Sequence, residues 1–134
     1  MILNKEYGDI PPINCYPQQL NQVFMNLLLN ASHAIDTKGE ITVKTWHDNT
    51  WLYIAIGDTG CGIPEEIRSR IFEPFFTTKE VGQGTGLGLS ISYDIVKKHR
   101  GDITLTSEIG VGTTFTVRLP VERNLIPPAK TYLD

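Results

Sequence analysis

No stretch of this 134-residue chain reaches the ~18 uninterrupted apolar residues that a membrane span needs. No secretory leader pattern opens it either, because Met1-Ile2-Leu3 runs straight into Asn4-Lys5-Glu6. A cytoplasmic domain without membrane contact of its own is expected, although a larger parent protein could be membrane-anchored. Cysteine is scarce. Cys15 and Cys61 lie far apart and form no CxxC, so they read as two reduced thiols and not as a disulfide framework. The three histidines, His33, His47 and His99, lack metal-ligand spacing. A basic excess is also missing: the formal net charge is −3, and a nucleic-acid partner is not expected. No serine sits in a nucleophile arrangement, since Ser90 and Ser92 fall in a helical pattern without nearby His and Asp. What remains, at 40% hydrophobic residues, is enough for one globular core that needs no disulfide or metal.

The strongest periodicity lies in Leu20, Val23, Phe24, Leu27, Leu28, Ala31, Ala34 and Ile35, which recur at helical spacing after Pro17, a residue suited to a first helical turn. Residues 40–47 and 51–57 alternate as two strands, with Asp48-Asn49 as the turn between them. Pro64-Glu65-Glu66 predicts a short helix through about Arg70. Residues 72–86 show no period and end in glycines, which predicts a long, mobile loop of functional kind. A second long helix is expected from about Gly86 to His99. Lys97, Lys98, His99 and Arg100 would complement its negative end, and Gly101 would stop it. Residues 102–108 and 113–119 predict another hairpin around Gly110-Val111-Gly112. Pro11-Pro12 leaves room for at most a short edge strand in residues 1–14. Hairpins with helices between them predict an α+β fold, a two-layer sandwich with helices on one face of a sheet. The domain is expected to span 1–121, with 122–134 as a tail or linker.

Three groups of residues carry possible chemistry. Asn26, Asn30 and His33 share one narrow helical stripe at about 100° per residue, beside the apolar stripe and not within it. Amide oxygens are hard ligands that suit Mg²⁺. Asp58 ends a predicted buried strand and enters the turn Thr59-Gly60-Cys61-Gly62. An ionised carboxylate only accepts hydrogen bonds, so it can recognise an exocyclic amine such as that of adenine. Gly60 and Gly62 would let backbone approach a flat ring. The third group is Gly82-Gln83-Gly84-Thr85-Gly86-Leu87-Gly88, a glycine-rich turn that feeds a helix and would cradle phosphates. It is neither a P-loop nor a dinucleotide fingerprint. Lys79 lies just upstream within reach of a phosphate, and Phe72, Phe75 and Phe76 would hinge or pack that loop. Taken singly, the amides could be solvated, Asp58 an ordinary turn residue and the glycine run a linker.

In this order and spacing the residues resemble the catalytic, ATP-binding domain of two-component sensor histidine kinases, in the superfamily with DNA gyrase, Hsp90 and MutL. Asn26-Leu27-Leu28-Leu29-Asn30-Ala31 is similar to the family's N box, and Asp58 through Gly62 to its first glycine box. Phe72 through Phe76 is similar to its phenylalanine box, and Gly84 through Leu89 to its second glycine box. Gly112-Thr113-Thr114-Phe115 resembles the strand that closes beside adenine. The resemblance covers about residues 10–120. It implies a left-handed βαβ, Bergerat-type sandwich, with a mixed, mostly antiparallel sheet under about three helices. It also implies ATP and Mg²⁺ as cofactors. Asn30 would be the main metal ligand, with Asn26 assisting, and Asn26, Asn30 and Lys79 would form the catalytic set. Nucleotide contacts would come from Asn30, His33, Asp58, Gly60, Gly62, Ile63, Phe75, Thr77, Lys79, Gly84, Thr85, Gly86, Leu87, Gly88 and Thr113. Many members carry Lys or Arg and then Tyr after the second Asn. Here the stretch is Ser32-His33-Ala34, with His33 as the available substitute.

The family's phosphoacceptor His resides on a separate helical dimerisation domain, and none of the three histidines here fits that context. The resemblance therefore implies half of an enzyme. It would bind ATP or ADP and donate the γ-phosphoryl to a His on another domain of the same parent, with a response regulator downstream. Two other classes compete. An ATPase of the gyrase, Hsp90 or MutL kind would need a Glu where Asn26 stands, because an amide cannot serve as a general base. A nucleotide-sensing module without catalysis would keep the same binding boxes.

Overall fold

The computed structural model describes residues 2–11, 13–35, 38–74, 76, 88–121 and 131–132. Five strands form one sheet: β1 (Ile2–Tyr7), β3 (Glu40–His47), β4 (Trp51–Asp58), β5 (Asp102–Glu108) and β6 (Gly112–Pro120), in the order β1-β3-β4-β6-β5. A separate pair joins β2 (Ile13–Asn14) to β7 (Thr131–Tyr132). The β3–β4 and β5–β6 hairpins form as expected, and β4 pairs antiparallel with β6. β1 lies parallel to β3, so the sheet is mixed and mostly antiparallel. Two α-helices, α1 (Pro17–Ala34) and α2 (Gly88–Lys98), complete the described elements together with one 3-10 turn at Glu65–Ile67. Among the described residues no helix is long and apolar enough to cross a membrane.

Strand alternation decides which face the helices cover. In β6, Thr113, Phe115, Val117 and Leu119 are buried, while Thr114, Thr116 and Arg118 between them are half-exposed. Ile41, Ile54, Ile56 and Ile103 join the buried row from neighbouring strands. Against it α1 packs Leu20, Val23, Leu27 and Ala31, and α2 packs Ile95 and Val96. Each large side chain so buried contributes about 1.5–3 kcal/mol. The opposite sheet face carries the half-exposed row. There Trp46 stacks on Tyr53 with centroids 5.1 Å apart, and the Arg118 guanidinium lies 4.4 Å from the Trp51 ring centroid.

Four local expectations change. The edge strand β1 is six residues long, longer than the Pro11-Pro12 break suggested. The helix expected at 64–70 is a 3-10 turn continued by further i→i+3 bonds, Arg70 N–H to Ile67 and Glu73 N–H to Arg70. The six residues from Glu65 to Arg70, behind an extended Pro64, give too little length for a stable α-helix. The expected tail is structured in part, because Thr131 and Tyr132 pair with β2. At the end of α2 it is Arg100, not Gly101, that takes the left-handed conformation, with φ of 62°. The Gly101 N–H then bonds Val96 C=O, and the Arg100 N–H bonds Lys97 C=O, a Schellman closure. Gly101 is needed for closeness, since a Cβ there would collide with the Arg118 carbonyl.

His99 also departs from expectation. It is 1% exposed, and its Nε2 accepts the Tyr16 N–H at 3.0 Å while its Nδ1 lies 2.9 Å from Ile95 O. A backbone N–H can only donate, so Nε2 carries no proton and Nδ1 does. The ring is thus neutral. It ties the start of α1 to the end of α2 and is not a cationic dipole partner.

Candidate functional site

Helix α1 gathers the site. At its C-terminal end, the Ala34 carbonyl accepts the Cys61 N–H at 3.2 Å. Gly60 presses so close to that carbonyl that a Cβ would overlap it. The glycine turn after Asp58 is therefore docked on the last turn of α1. One turn earlier on the same helix stands Asn30, and another turn earlier Asn26. The Asn26 Nδ2 donates to Gly88 O and to Ser92 Oγ, both at 3.2 Å, and Ser92 Oγ donates to Gly88 O at 2.8 Å. Asn26 thus fastens α1 to the first turn of α2. One helix holds both the carboxylate turn and the start of α2, with Asn30 between.

Asp58 is 8% exposed. Its Oδ1 accepts the Gly60 N–H at 2.8 Å and the Thr113 N–H at 3.3 Å. Among the described residues both bonds to this carboxylate fall on Oδ1, which leaves Oδ2 for a donor. Burial raises the carboxyl above its ordinary value, and the N–H groups of Gly60 and Thr113 pull it back only in part. Such a group gains from a ligand that donates a hydrogen bond to it. The register lines up Ile41, Asp58, Thr113 and Ser107 across β3, β4, β6 and β5 on the helix side of the sheet.

Two glycines permit this arrangement. Gly62 has φ of +80°, and a Cβ there would strike the Glu108 carbonyl. Gly112, at φ of +146°, passes so near the Asp58 carbonyl that no side chain fits. The glycine identity at 60 and 62, expected for approach to a ring, is already required by contacts within the protein. Behind the turn, Ser107 Oγ accepts the Ile63 N–H at 2.8 Å and lies 2.8 Å from Thr113 Oγ1. Arg68 donates from Nε to Ile63 O at 3.0 Å and from its guanidinium to Ser107 O at 2.8 Å.

Of the expected site residues, Asp58, Gly60, Gly62, Ile63 and Thr113 form one cluster, and Asn26 and Gly88 form a second. Asn30 lies between them along α1, half-buried, and its side chain makes no hydrogen bond with another described residue. His33 is exposed on the same stripe. Phe75, Thr77, Lys79, Gly84, Thr85, Gly86 and Leu87, and with them residues 77–86 of the expected loop, lie outside the described residues. Phe72 packs edge-on to Phe115, with centroids 6.3 Å apart, the core role expected for it. Ser107 and Arg68 escape sequence reading: Ser107 lies 44 residues from Ile63, and no spacing signals a contact of that range.

The family model of histidine kinase-, DNA gyrase B- and HSP90-like ATPases matches residues 15–123, and the chain belongs to this family. Sporulation kinase E of Bacillus subtilis is 48% identical over 118 residues, which cover 87% of this chain and 16% of the relative. The signal transduction histidine-protein kinase AtoS of Escherichia coli is 45% identical, over 85% of this chain and 19% of the relative. The chain thus spans less than a fifth of the length of either. Among solved structures, the catalytic domain of histidine kinase ThkA superposes with a TM-score of 0.79 at 31% identity, covering 90% of this chain and 80% of that one. The two-layer α+β fold is that of histidine kinase catalytic domains.

Proposed function

We propose that this chain is the catalytic domain of a sensor histidine kinase. It takes Mg·ATP and passes the γ-phosphoryl to a histidine on a separate dimerisation domain of its parent protein, with a response regulator downstream. The observation that carries the reading is the use of a single helix to hold a buried carboxylate turn at one end and the start of α2 at the other. Asp58 Oδ2 is the acceptor for the adenine amine, and Thr113 lies beside it. The start of α2 at Gly88 is the helix end toward which phosphates are drawn. Lys79 and the glycines 84 and 86 belong to the same proposal as phosphate contacts.

The side chains suit Mg²⁺. A half-buried amide without a protein partner among the described residues, as at Asn30, offers a hard oxygen of the kind the ion accepts. Asn26 has spent both Nδ2 hydrogens on α2, and its Oδ1 remains for an assisting role. The ion, when bound, neutralises charge on the phosphates. The residues of this chain orient the nucleotide and exclude water from its base.

An ATPase reading is weaker on structural grounds. An amide whose N–H groups point into α2 takes no proton from water, and position 26 is where that chemistry would need a carboxylate. The deciding experiment supplies a histidine-bearing dimerisation domain in trans with γ-labelled ATP. Label on histidine, acid-labile and absent without this chain, supports the kinase. ATP binding without transfer would favour a sensing module, and turnover of about 1 s⁻¹ or faster, an ordinary enzymatic rate, would favour an ATPase.

A further inference from the structure

Ser107 Oγ stands at a crossing of three hydrogen bonds. It accepts the Ile63 N–H at 2.8 Å, lies 3.2 Å from Gly112 O, and lies 2.8 Å from Thr113 Oγ1. A hydroxyl has one proton. A carbonyl oxygen can only accept, so all three bonds form at once in one arrangement, with the Ser107 proton on Gly112 O. The contact with Thr113 is then satisfied in one way, with Thr113 donating and Ser107 accepting. The Thr113 proton is thereby drawn away toward β5. What Thr113 can still offer to a ligand is lone pairs.

We propose that Ser107 is a positioning residue for base selection: by holding the Thr113 proton it makes the row beside Asp58 present acceptors only. The inference rests on the adenine-nucleotide reading above. Asp58 and Thr113 are Cα partners in the sheet, and Thr113 and Ser107 are partners in turn, so the three groups sit in one line at the end of the sheet. Asp58 accepts because it is a carboxylate, and Thr113 accepts because Ser107 has fixed its rotor. An exocyclic amine, with two hydrogens to give, satisfies this pair of acceptors, whereas an exocyclic carbonyl at the same place meets lone pairs with lone pairs. Arg68 keeps the device in place, because its two bonds to Ile63 O and Ser107 O clamp the loop after Gly62 onto β5. Thr113 is 4% exposed, so water is poorly placed to replace the partner that Ser107 supplies.

The test compares ATP with inosine triphosphate, which has a carbonyl where adenine has its amine. Calorimetry on the whole chain gives both affinities for the native protein, Ser107→Ala and Ser107→Thr. Freed from Ser107, the Thr113 hydroxyl can turn and donate to the inosine carbonyl. Ser107→Ala should therefore lower the ATP-over-inosine preference by about tenfold, the upper range of one neutral hydrogen bond. Ser107→Thr keeps the hydroxyl and should restore the preference. A merely structural serine would weaken both nucleotides alike, and an unchanged ratio in Ser107→Ala, with native ATP binding intact, overturns the inference while leaving the adenine reading in place. Absence of ATP binding by the native chain would overturn both. Should Ser107→Ala fail to fold, Thr113→Val removes the same lone pairs with little change of shape. It must also lower the preference, and an unchanged ratio there is equally fatal.

Discussion

Replacing Asp58 with Asn should weaken adenine nucleotide binding and leave the empty protein at least as stable. The two effects come from different oxygens. Oδ1 holds the Gly60 and Thr113 N–H groups at 2.8 and 3.3 Å, and an amide oxygen can take over both bonds. At the Oδ2 position the substitution puts an NH₂ group, which would face the donor on adenine. Losing a hydrogen bond to a charged acceptor in a buried site costs about 1–3 kcal/mol, or about 5- to 150-fold in dissociation constant. Guanine presents a carbonyl at the corresponding place, so GTP should lose little.

The stability effect follows from the direction of the Asp58 shift. Burial raises the folded carboxyl above its unfolded value. At acidic pH, below the unfolded value, both states hold the proton and the site carries no penalty. As pH rises through the ordinary carboxylate range, the unfolded chain ionises first, and the native state loses stability until its own carboxyl has ionised. Asn cannot ionise. Its advantage over Asp should therefore be absent in acid and full at neutral pH. Thermal melts of both proteins between acid and neutral pH, with calorimetry for ATP and GTP at neutral pH, measure everything needed. Equal losses for both nucleotides would refute the amine contact. An empty Asp58→Asn protein that melts well below the native one at neutral pH would refute the argument from burial.

Asn30→Ala should abolish the Mg²⁺-dependent part of ATP binding while metal-free adenine binding through Asp58 persists; titrations with and without Mg²⁺ check this, and intact Mg²⁺ dependence would remove Asn30 from the metal site. Asn26→Ala should cost about 1–2 kcal/mol through two lost hydrogen bonds even without nucleotide, and should speed amide exchange in the first turn of α2; unchanged melting and exchange would show that Asn26 is not a clamp. Leu27→Ala, at a side chain 1% exposed between α1 and the sheet, should cost about 2–5 kcal/mol in denaturant unfolding, and a loss under about 1 kcal/mol would mean that the helix packs otherwise.

Legibility in the sequence followed the range of the interactions. The helix from Pro17 and both hairpins were readable because each is written in local spacing: a 3.6-residue period, strict alternation, and turn residues between. The sequence understates the edge strand β1 because five of its six residues are exposed, so no alternation marks it. Its existence depends on β3 lying alongside in parallel. The short helix after Pro64 failed for the opposite reason, since the capping signals were present but the segment was too short to sustain them. His99 looked like a helix-end cation because the sequence shows its place beside three other basic residues and not the Tyr16 N–H, 83 residues away, that takes its lone pair.

The candidate site divides in the same way. Asp58 and the glycines were visible because a carboxylate beside a Gly-x-Gly turn is a local pattern. In the sequence Gly60 and Gly62 suggest room for a ring, whereas their neighbours are the Ala34 and Glu108 carbonyls. A glycine in a sequence announces close approach without saying to what. Ser107 and Arg68 gave no signal at all. A serine in an alternating strand is an ordinary residue until the register sets it opposite Thr113, and an arginine in a weak helix is an ordinary surface cation until its guanidinium finds two carbonyls. Hydrogen-bond direction is harder still to read, because it belongs to the whole network. Thr113 alone could donate or accept, and only the combined demands of Ile63, Gly112 and Ser107 fix which. Residues that touch a ligand tend to be named by motif; those that decide what the ligand meets are fixed by register and by the count of protons.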